Sequence, residues 1–129
     1  MSKVKILIVD DDLAIHDLIH ALLKGGGCEF EQALNTQDAL MKFADFQPDL
    51  VFLDINMPGA NGFVALRRLR ALAQDHNRNC KIVMLTGNKT KEDVSTALAY
   101  GADDFLAKPI NRQILQQKLV RHFPGVALA

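Results

Sequence analysis

Six polar side chains stand at the ends of apolar runs whose length is typical of β-strands. They are Asp10, Asp11, Asp12, Asp54, Thr86 and Lys108. The carboxyl ends of parallel strands meet at one edge of a sheet, so residues far apart in the chain come together there. Several carboxylates, a hydroxyl and an ammonium group would then share a single edge.

This combination of groups is suited to a hard cation and a phosphoryl group. Carboxylates a few ångströms apart raise one another's pKa, and a divalent cation removes that penalty. Mg²⁺ prefers oxygen ligands in octahedral geometry and retains some water. Phosphoryl transfer needs mainly positioning and charge neutralisation, which such a set supplies. Asp12 is a separate case, because an aspartate after a strand commonly caps the next helix.

Apolar runs and helical patterns alternate along the chain. Runs 4–9, 50–53 and 82–85 are almost continuously apolar, as in strands buried on both faces of a parallel sheet. Weaker runs at 29–33 and 105–107 suit strands nearer the sheet edges. The predicted helix signals are a glycine stop at 25–27, N-caps at Asn35 and Asn61, a capping box of Thr90 and Asp93, a C-cap at Gly101, and a last helix over 111–122.

Strict alternation with short connections predicts an α/β fold with helices on both faces of a parallel sheet. Right-handed crossovers leave few topologies. We expect one doubly wound five-stranded sheet of order 2-1-3-4-5 with five helices, in a flavodoxin-like arrangement. We expect a single domain over 1–122, followed by a short tail or linker over 123–129.

The overall charge excludes some classes of partner for the domain as a whole. Lys plus Arg and Asp plus Glu both number 15, so no strong field attracts nucleic acid or an acidic membrane. No apolar run approaches the roughly 20 residues that a membrane span needs. Cys28 and Cys80 stand alone without metal-like spacing, and with no secretory signal pattern they favour a reducing cytoplasm.

Four segments resemble the receiver domains of two-component response regulators, the CheY-like family, over residues 3 to about 122. They are ILIVDDD at 6–12, LDINMPG at 53–59, LTG at 85–87 and GADDFLAKP at 101–109. The resemblance implies a phosphorylation-dependent signalling module and not an enzyme. It also implies a sensor histidine kinase or histidine phosphotransfer protein as phosphoryl donor, and an effector that the sequence does not identify.

The resemblance assigns roles to the acidic residues. Asp54 is similar to the aspartate that accepts the phosphoryl group. Asp11 and Asp54 resemble direct ligands of Mg²⁺, and Asp10 resembles a ligand that acts through water. The backbone carbonyl of Asn56 resembles a further ligand.

The remaining family positions concern the phosphoryl group and the switch. Lys108 resembles the cation that pairs with the phosphoryl oxygens, and its bond to Pro109 is expected to be cis. Thr86 resembles the hydroxyl that bonds the phosphoryl group, and Phe105 occupies the aromatic switch position. The expected output surface is formed by the fourth helix, the fifth strand and the fifth helix.

Some positions depart from common family patterns. Phe105 replaces a Tyr, so the ring lacks a hydroxyl, and Asn61 replaces an Asp. Gln113 or Ile114, and Gln117 or Lys118, stand where receivers attached to winged-helix DNA binders have a Glu and an Arg used in dimerisation. A dimer of that type is therefore not expected.

Other classes of protein agree less well with the sequence. A receiver-like interaction domain that never carries phosphate would have no need for the complete set of site residues. An aspartate-nucleophile phosphatase needs a second aspartate two residues after Asp54, where Asn56 cannot transfer protons. A flavin-binding domain needs a phosphate-binding loop after the first strand, where this chain instead has three aspartates whose charges would repel the ligand. His16 and His20, spaced like helix metal ligands, are expected on the surface.

Overall fold

The structure is a computed structural model and describes residues 3–23, 27–55, 62–75, 79–87 and 91–124, with the backbone alone for 91–94. Strands and helices alternate along it. In chain order they are β1 (Val4–Val9), α1 (Leu13–Leu23), β2 (Cys28–Ala33), α2 (Thr36–Phe46), β3 (Leu50–Asp54), α3 (Gly62–Asp75), β4 (Lys81–Thr86), α4 (Lys91–Ala99), β5 (Asp104–Ala107) and α5 (Arg112–His122). The α/β fold class predicted from the sequence, with five strands and five helices, is confirmed.

The strands form one parallel sheet of order β2-β1-β3-β4-β5, as predicted. The central strand β3 is buried along its whole length, from Leu50 to Asp54. Its almost continuous apolar sequence follows from that position, because helices cover both faces of the sheet. A reversal of strand order between β1 and β3 creates a crevice at their carboxyl ends.

Two apolar clusters lie on opposite faces of the sheet. One joins β1, β3 and β4 to α2, α3 and α4, with Phe43 and Leu66 among its fully buried members. The other joins the opposite faces of the strands to α1 and α5, with Ile19 and Leu119 among its members. The sheet is therefore fixed from both sides, and its carboxyl edge becomes a rigid platform.

Helix ends follow the predicted signals where the structure describes them. The Asn35 side chain accepts a hydrogen bond from the Asp38 amide, and Asn111 does the same for α5 with Ile114. Gly101, two residues beyond the end of α4, adopts φ +105°, a conformation that favours glycine. The predicted signals at Asn61, Thr90 and residues 25–26 lie outside the described residues.

No helix in the described ranges combines the length and the hydropathy needed to cross a membrane.

Candidate functional site

The register of the sheet places the predicted residues at one edge. Val9 pairs with Leu53, so the next residues along the two strands, Asp10 and Asp54, are neighbours. One carboxylate oxygen from each of Asp10, Asp11 and Asp54 lies within 4.8 Å of the others. Asp10 and Asp54 are buried, whereas Asp11 is exposed. The three aspartates thus form one acidic cluster with an open side.

Local hydrogen bonds hold Asp10 in this position. Its backbone amide donates to the Ala33 carbonyl of β2, and its Oδ1 accepts from the Asp12 amide at 2.9 Å. Asp12 itself points away to cap α1, since its Oδ1 accepts from the Ala14 amide at 2.9 Å. The predicted difference between Asp10 and Asp12 is therefore observed.

The expectation that His16 lies on the surface was wrong. Its side chain is 0% exposed, and Nε2 lies 2.7 Å from the backbone carbonyl of Asp10, to which it donates. Nδ1 has no hydrogen-bond partner within the described part of the chain. His20, one turn later, is exposed as predicted and packs against the Phe30 ring.

The buried face of α1 explains that error. An apolar stripe at helical spacing along α1 would include Leu18, yet Leu18 is 36% exposed and the buried residues are His16, Ile19 and Leu23. The buried face of α1 is turned toward the carboxyl end of β1, where the backbone carbonyl of Asp10 accepts a hydrogen bond from His16. His16 thus anchors the backbone at Asp10, a role that sequence reasoning missed.

Lys108 supplies the positive charge of the site. Its Nζ lies 3.0 Å from Asp10 Oδ2 and 3.6 Å from Asp54 Oδ1. Burial alone would lower the pKa of Lys108, but the hydrogen bond and charge of Asp10 and the charge of Asp54 raise it above its ordinary value. Its backbone amide donates to the Thr86 carbonyl, and the bond to Pro109 is cis.

Thr86 and Phe105 lie on the neighbouring strands β4 and β5. Thr86 is the last residue of β4, is 1% exposed and pairs with Ala107 of β5. Phe105 pairs with Met84 of β4, and its partly buried ring packs against the cluster that contains α3 and α4. Asn56, the remaining predicted ligand, lies outside the described residues.

Gly62, which the sequence reasoning also missed, allows α3 to lie close to the end of β3. A Cβ atom on Gly62 would lie 2.6 Å from both Cα and the carbonyl oxygen of Ile55. The Gly62 amide donates to that same carbonyl at 3.2 Å. Only glycine permits this approach, which fixes the chain immediately after Asp54.

The charges of the site fit a divalent cation. Three carboxylates face one ammonium group, which leaves an excess of negative charge in a largely buried place. Asp10 Oδ2 is buried and, apart from the ion pair with Lys108, lacks a hydrogen-bond donor among the described residues. An oxygen of this kind suits Mg²⁺, and Asp10, Asp11 and Asp54 are the residues that would hold it.

A five-stranded doubly wound sheet with an acidic pocket and a lysine at its carboxyl edge defines a receiver-type α/β domain. The family model described as response regulator receiver domain matches residues 6–120. This chain belongs to that family, whose members are signalling modules of two-component systems. The resemblance noted from the sequence is confirmed.

Individual relatives agree with this assignment. The phosphate regulon transcriptional regulatory protein PhoB of Pseudomonas aeruginosa is 36% identical over 114 residues, which cover 88% of this chain and 49% of that protein. The DNA-binding response regulator MtrA of Mycobacterium tuberculosis is 37% identical over 81% of this chain and 44% of its own length. The chain spans about half the length of the curated relatives it matches.

Two solved structures share the fold over most or all of their length. Chemotaxis protein CheY4 of Vibrio cholerae superposes with a TM-score of 0.86 at 31% identity, covering 95% of this chain and 100% of that one. A CheY-like receiver domain protein of Methanospirillum hungatei gives a TM-score of 0.82 at 32% identity, covering 94% and 93%.

Proposed function

We propose that this domain accepts a phosphoryl group on Asp54 from a phosphohistidine of a sensor histidine kinase or a histidine phosphotransfer protein. The observation that carries the proposal is the position of Asp54. Its buried carboxylate ends the central strand within 3.6 Å of the Lys108 ammonium and beside Asp10 and Asp11. We also propose that the domain works in the cytoplasm, as part of a phosphorelay.

The transfer is a displacement at phosphorus. A carboxylate oxygen of Asp54 bonds to the phosphorus while the P–N bond of the phosphohistidine breaks, and its electron pair remains on the imidazole nitrogen. Lys108 balances charge on the phosphoryl oxygens. Asp11, Asp54 and the backbone carbonyl of Asn56 would hold Mg²⁺ directly, and Asp10 would act through water. When bound, Mg²⁺ neutralises charge that develops on those oxygens.

The proposed response runs from Thr86 to Phe105. A dianionic phosphoryl group on Asp54 draws the Thr86 hydroxyl toward it as a hydrogen-bond donor. The Phe105 ring then turns into the space left behind β4, and the surface of α4, β5 and α5 changes. A ligand-dependent shift between two conformations is sufficient for signalling to an effector.

Other functions have less support. A receiver-like domain that is never phosphorylated remains the alternative, and it would leave the ion pairs around Lys108 without a purpose. A phosphatase would require an acid–base group at the position of Asn56. The output of a longer protein, such as the DNA binding that the name of MtrA states, is not assigned to residues 1–122.

Covalent labelling tests the proposal. Incubation with phosphoramidate and Mg²⁺ should add one base-labile phosphoryl group, detected by mass spectrometry and mapped to Asp54. Chelation of Mg²⁺ or Asp54→Asn should abolish labelling. Asp12→Asn is the matched control, because asparagine also caps a helix and Asp12 points away from the site. Labelling that maps to a serine, threonine or histidine would overturn the proposal.

A further inference from the structure

The aromatic ring at the switch position lies under a cation from α5. Lys118 Nζ is 5.0 Å from the centroid of the Phe105 ring, within the range of a cation–π interaction. The two residues belong to different elements, so the contact joins α5 to β5. The Lys118 side chain is 22% exposed, and partial desolvation strengthens such a contact.

Asp104 fixes the position of this cation. Its Oδ1 accepts a hydrogen bond from Lys118 Nζ at 2.8 Å and another from the backbone amide of Phe105 at 2.8 Å. One carboxylate oxygen therefore ties the ammonium group to the backbone of the aromatic residue. Asp104 is only 5% exposed, so movement of the lysine would take a hydrogen-bonded cation away from a buried charge.

Two further side chains of α5 contact the other carboxylate oxygen of Asp104. His122 Nε2 lies 3.1 Å from Oδ2, and the Arg121 guanidinium lies 3.6 Å from it. Burial acts to raise the pKa of Asp104, but the hydrogen bonds of Lys118, the Phe105 amide and His122 lower it below its usual value. The anchor thus stays ionised at neutral pH.

We propose that Lys118 is a positioning residue for the Phe105 ring: anchored on Asp104, it stabilises the partly buried ring position seen here and opposes rotation further inward. The inference rests on the proposed function, in which inward rotation accompanies phosphorylation of Asp54. Because Asp104 holds the ammonium in place, a ring that turns inward loses the cation. Lys118 therefore biases the domain toward its unphosphorylated conformation.

Three single variants and one double variant isolate the effect of Lys118. Lys118→Met keeps the length of the side chain and removes its charge. Lys118→Arg keeps a cation that can reach both Asp104 and the ring. Arg121→Gln removes a charge near the same carboxylate, but Arg121 approaches the other oxygen and its side chain is 70% exposed. The double variant Lys118→Met/Asp104→Asn covers the case in which the unpaired carboxylate destabilises the fold.

Two measurements decide the proposal. NMR couplings of isotope-labelled phenylalanine, assigned with Phe105→Leu, should show more inward rotamer in free Lys118→Met than in wild type. Beryllofluoride with Mg²⁺ should bind Lys118→Met roughly two- to fivefold more tightly, since ligand affinity and the conformational equilibrium are linked. Lys118→Arg and Arg121→Gln should remain close to wild type, and the double variant should resemble Lys118→Met.

The outcomes separate this inference from the proposed function. Equal rotamer populations and equal beryllofluoride affinities in wild type and Lys118→Met would overturn the role of Lys118, as would weaker binding by Lys118→Met. Fluorine NMR of the bound beryllofluoride reports the Asp54 adduct directly. If wild type forms no adduct, the proposed function fails, whereas the rotamer comparison in the free protein still tests the Lys118–Phe105 contact.

Discussion

The three consecutive aspartates after β1 differ in what surrounds their carboxylates. Asp10 is buried against Lys108, Asp11 is exposed beside it, and Asp12 caps α1. Only the first two share the acidic cluster with Asp54. Like charges at this spacing repel, so the apoprotein carries an unfavourable interaction that a cation relieves.

At this residue scale, Asp11→Asn should change stability in opposite directions with and without Mg²⁺. Without metal, removal of one of three repelling charges should leave the free energy of unfolding unchanged or raise it by about 1 kcal/mol or more. In millimolar Mg²⁺ wild type should become the more stable protein, because its native state binds the ion better. Thermal melts of both proteins in EDTA and in Mg²⁺ measure this. Wild-type melting that ignores Mg²⁺ would contradict a metal site.

At the scale of elements, close packing between α3 and the end of β3 depends on Gly62. Gly62→Ala should lower the free energy of unfolding by about 2–3 kcal/mol, because the new methyl group meets the backbone of Ile55 and the helix must shift. Gly87→Ala is the matched control, since a Cβ atom there meets nothing within 4 Å. Urea denaturation compares the two variants. Equal stability would show that α3 can move away from β3 at little cost.

The attachment of α5 to β5 should depend on pH through Asp104. Its carboxyl pKa is lowered in the folded state, so its contribution to stability is present above the ordinary value of 3.8 and is lost as the pH falls through the folded value. Asp104→Asn should therefore destabilise the domain by about 2 kcal/mol at pH 7 and by progressively less below about pH 4. Urea titrations from pH 7 to pH 3, in a His122→Gln background that removes the imidazole, measure the difference. A difference that does not change with pH would contradict an ionised anchor.

At the scale of the whole molecule, the acidic edge and the α4–β5–α5 surface are connected through adjacent strands. Thr86 ends β4, its carbonyl accepts from the Lys108 amide, and β5 carries Phe105 next to Met84 of β4. A change at Asp54 therefore has a short path through β4 and β5 to the outer surface. Coupling needs a two-state element that both sites bias, and the Phe105 ring is the element that we propose.

Thr86→Ala should leave phosphorylation possible and uncouple it from that surface. Without the hydroxyl no hydrogen bond draws β4 toward the phosphoryl group, so the Phe105 ring keeps its position. Amide chemical shifts with and without beryllofluoride, measured in wild type and in Thr86→Ala, provide the test. Equal perturbation of residues 90–115 in both proteins would refute the Thr86–Phe105 link, even with Asp54 as acceptor.

The sequence by itself determined the sheet and the location of the site. Continuous apolar runs separated by helical patterns require strands covered on both faces, and this requirement leads to a parallel order with its ligands at the carboxyl edge. Asp10, Asp54, Thr86 and Lys108 were predicted at that edge because each stands at the end of a strand. Such predictions need only local periodicity and chain connectivity.

Tertiary structure decided which polar side chains are buried and what they contact. His16 was expected in solvent, but the orientation of α1 buries it next to Asp10, whose backbone carbonyl accepts a hydrogen bond from Nε2. In the sequence Gly62 has no distinguishing feature, and only the structure shows that its Cα lies against the backbone of Ile55. Lys118 and Asp104 are fourteen residues apart, and their 2.8 Å contact depends on how α5 lies across β5. Burial of a polar group costs free energy unless the group has a hydrogen-bond partner. When that partner belongs to another part of the chain, helical periodicity contains no information about it.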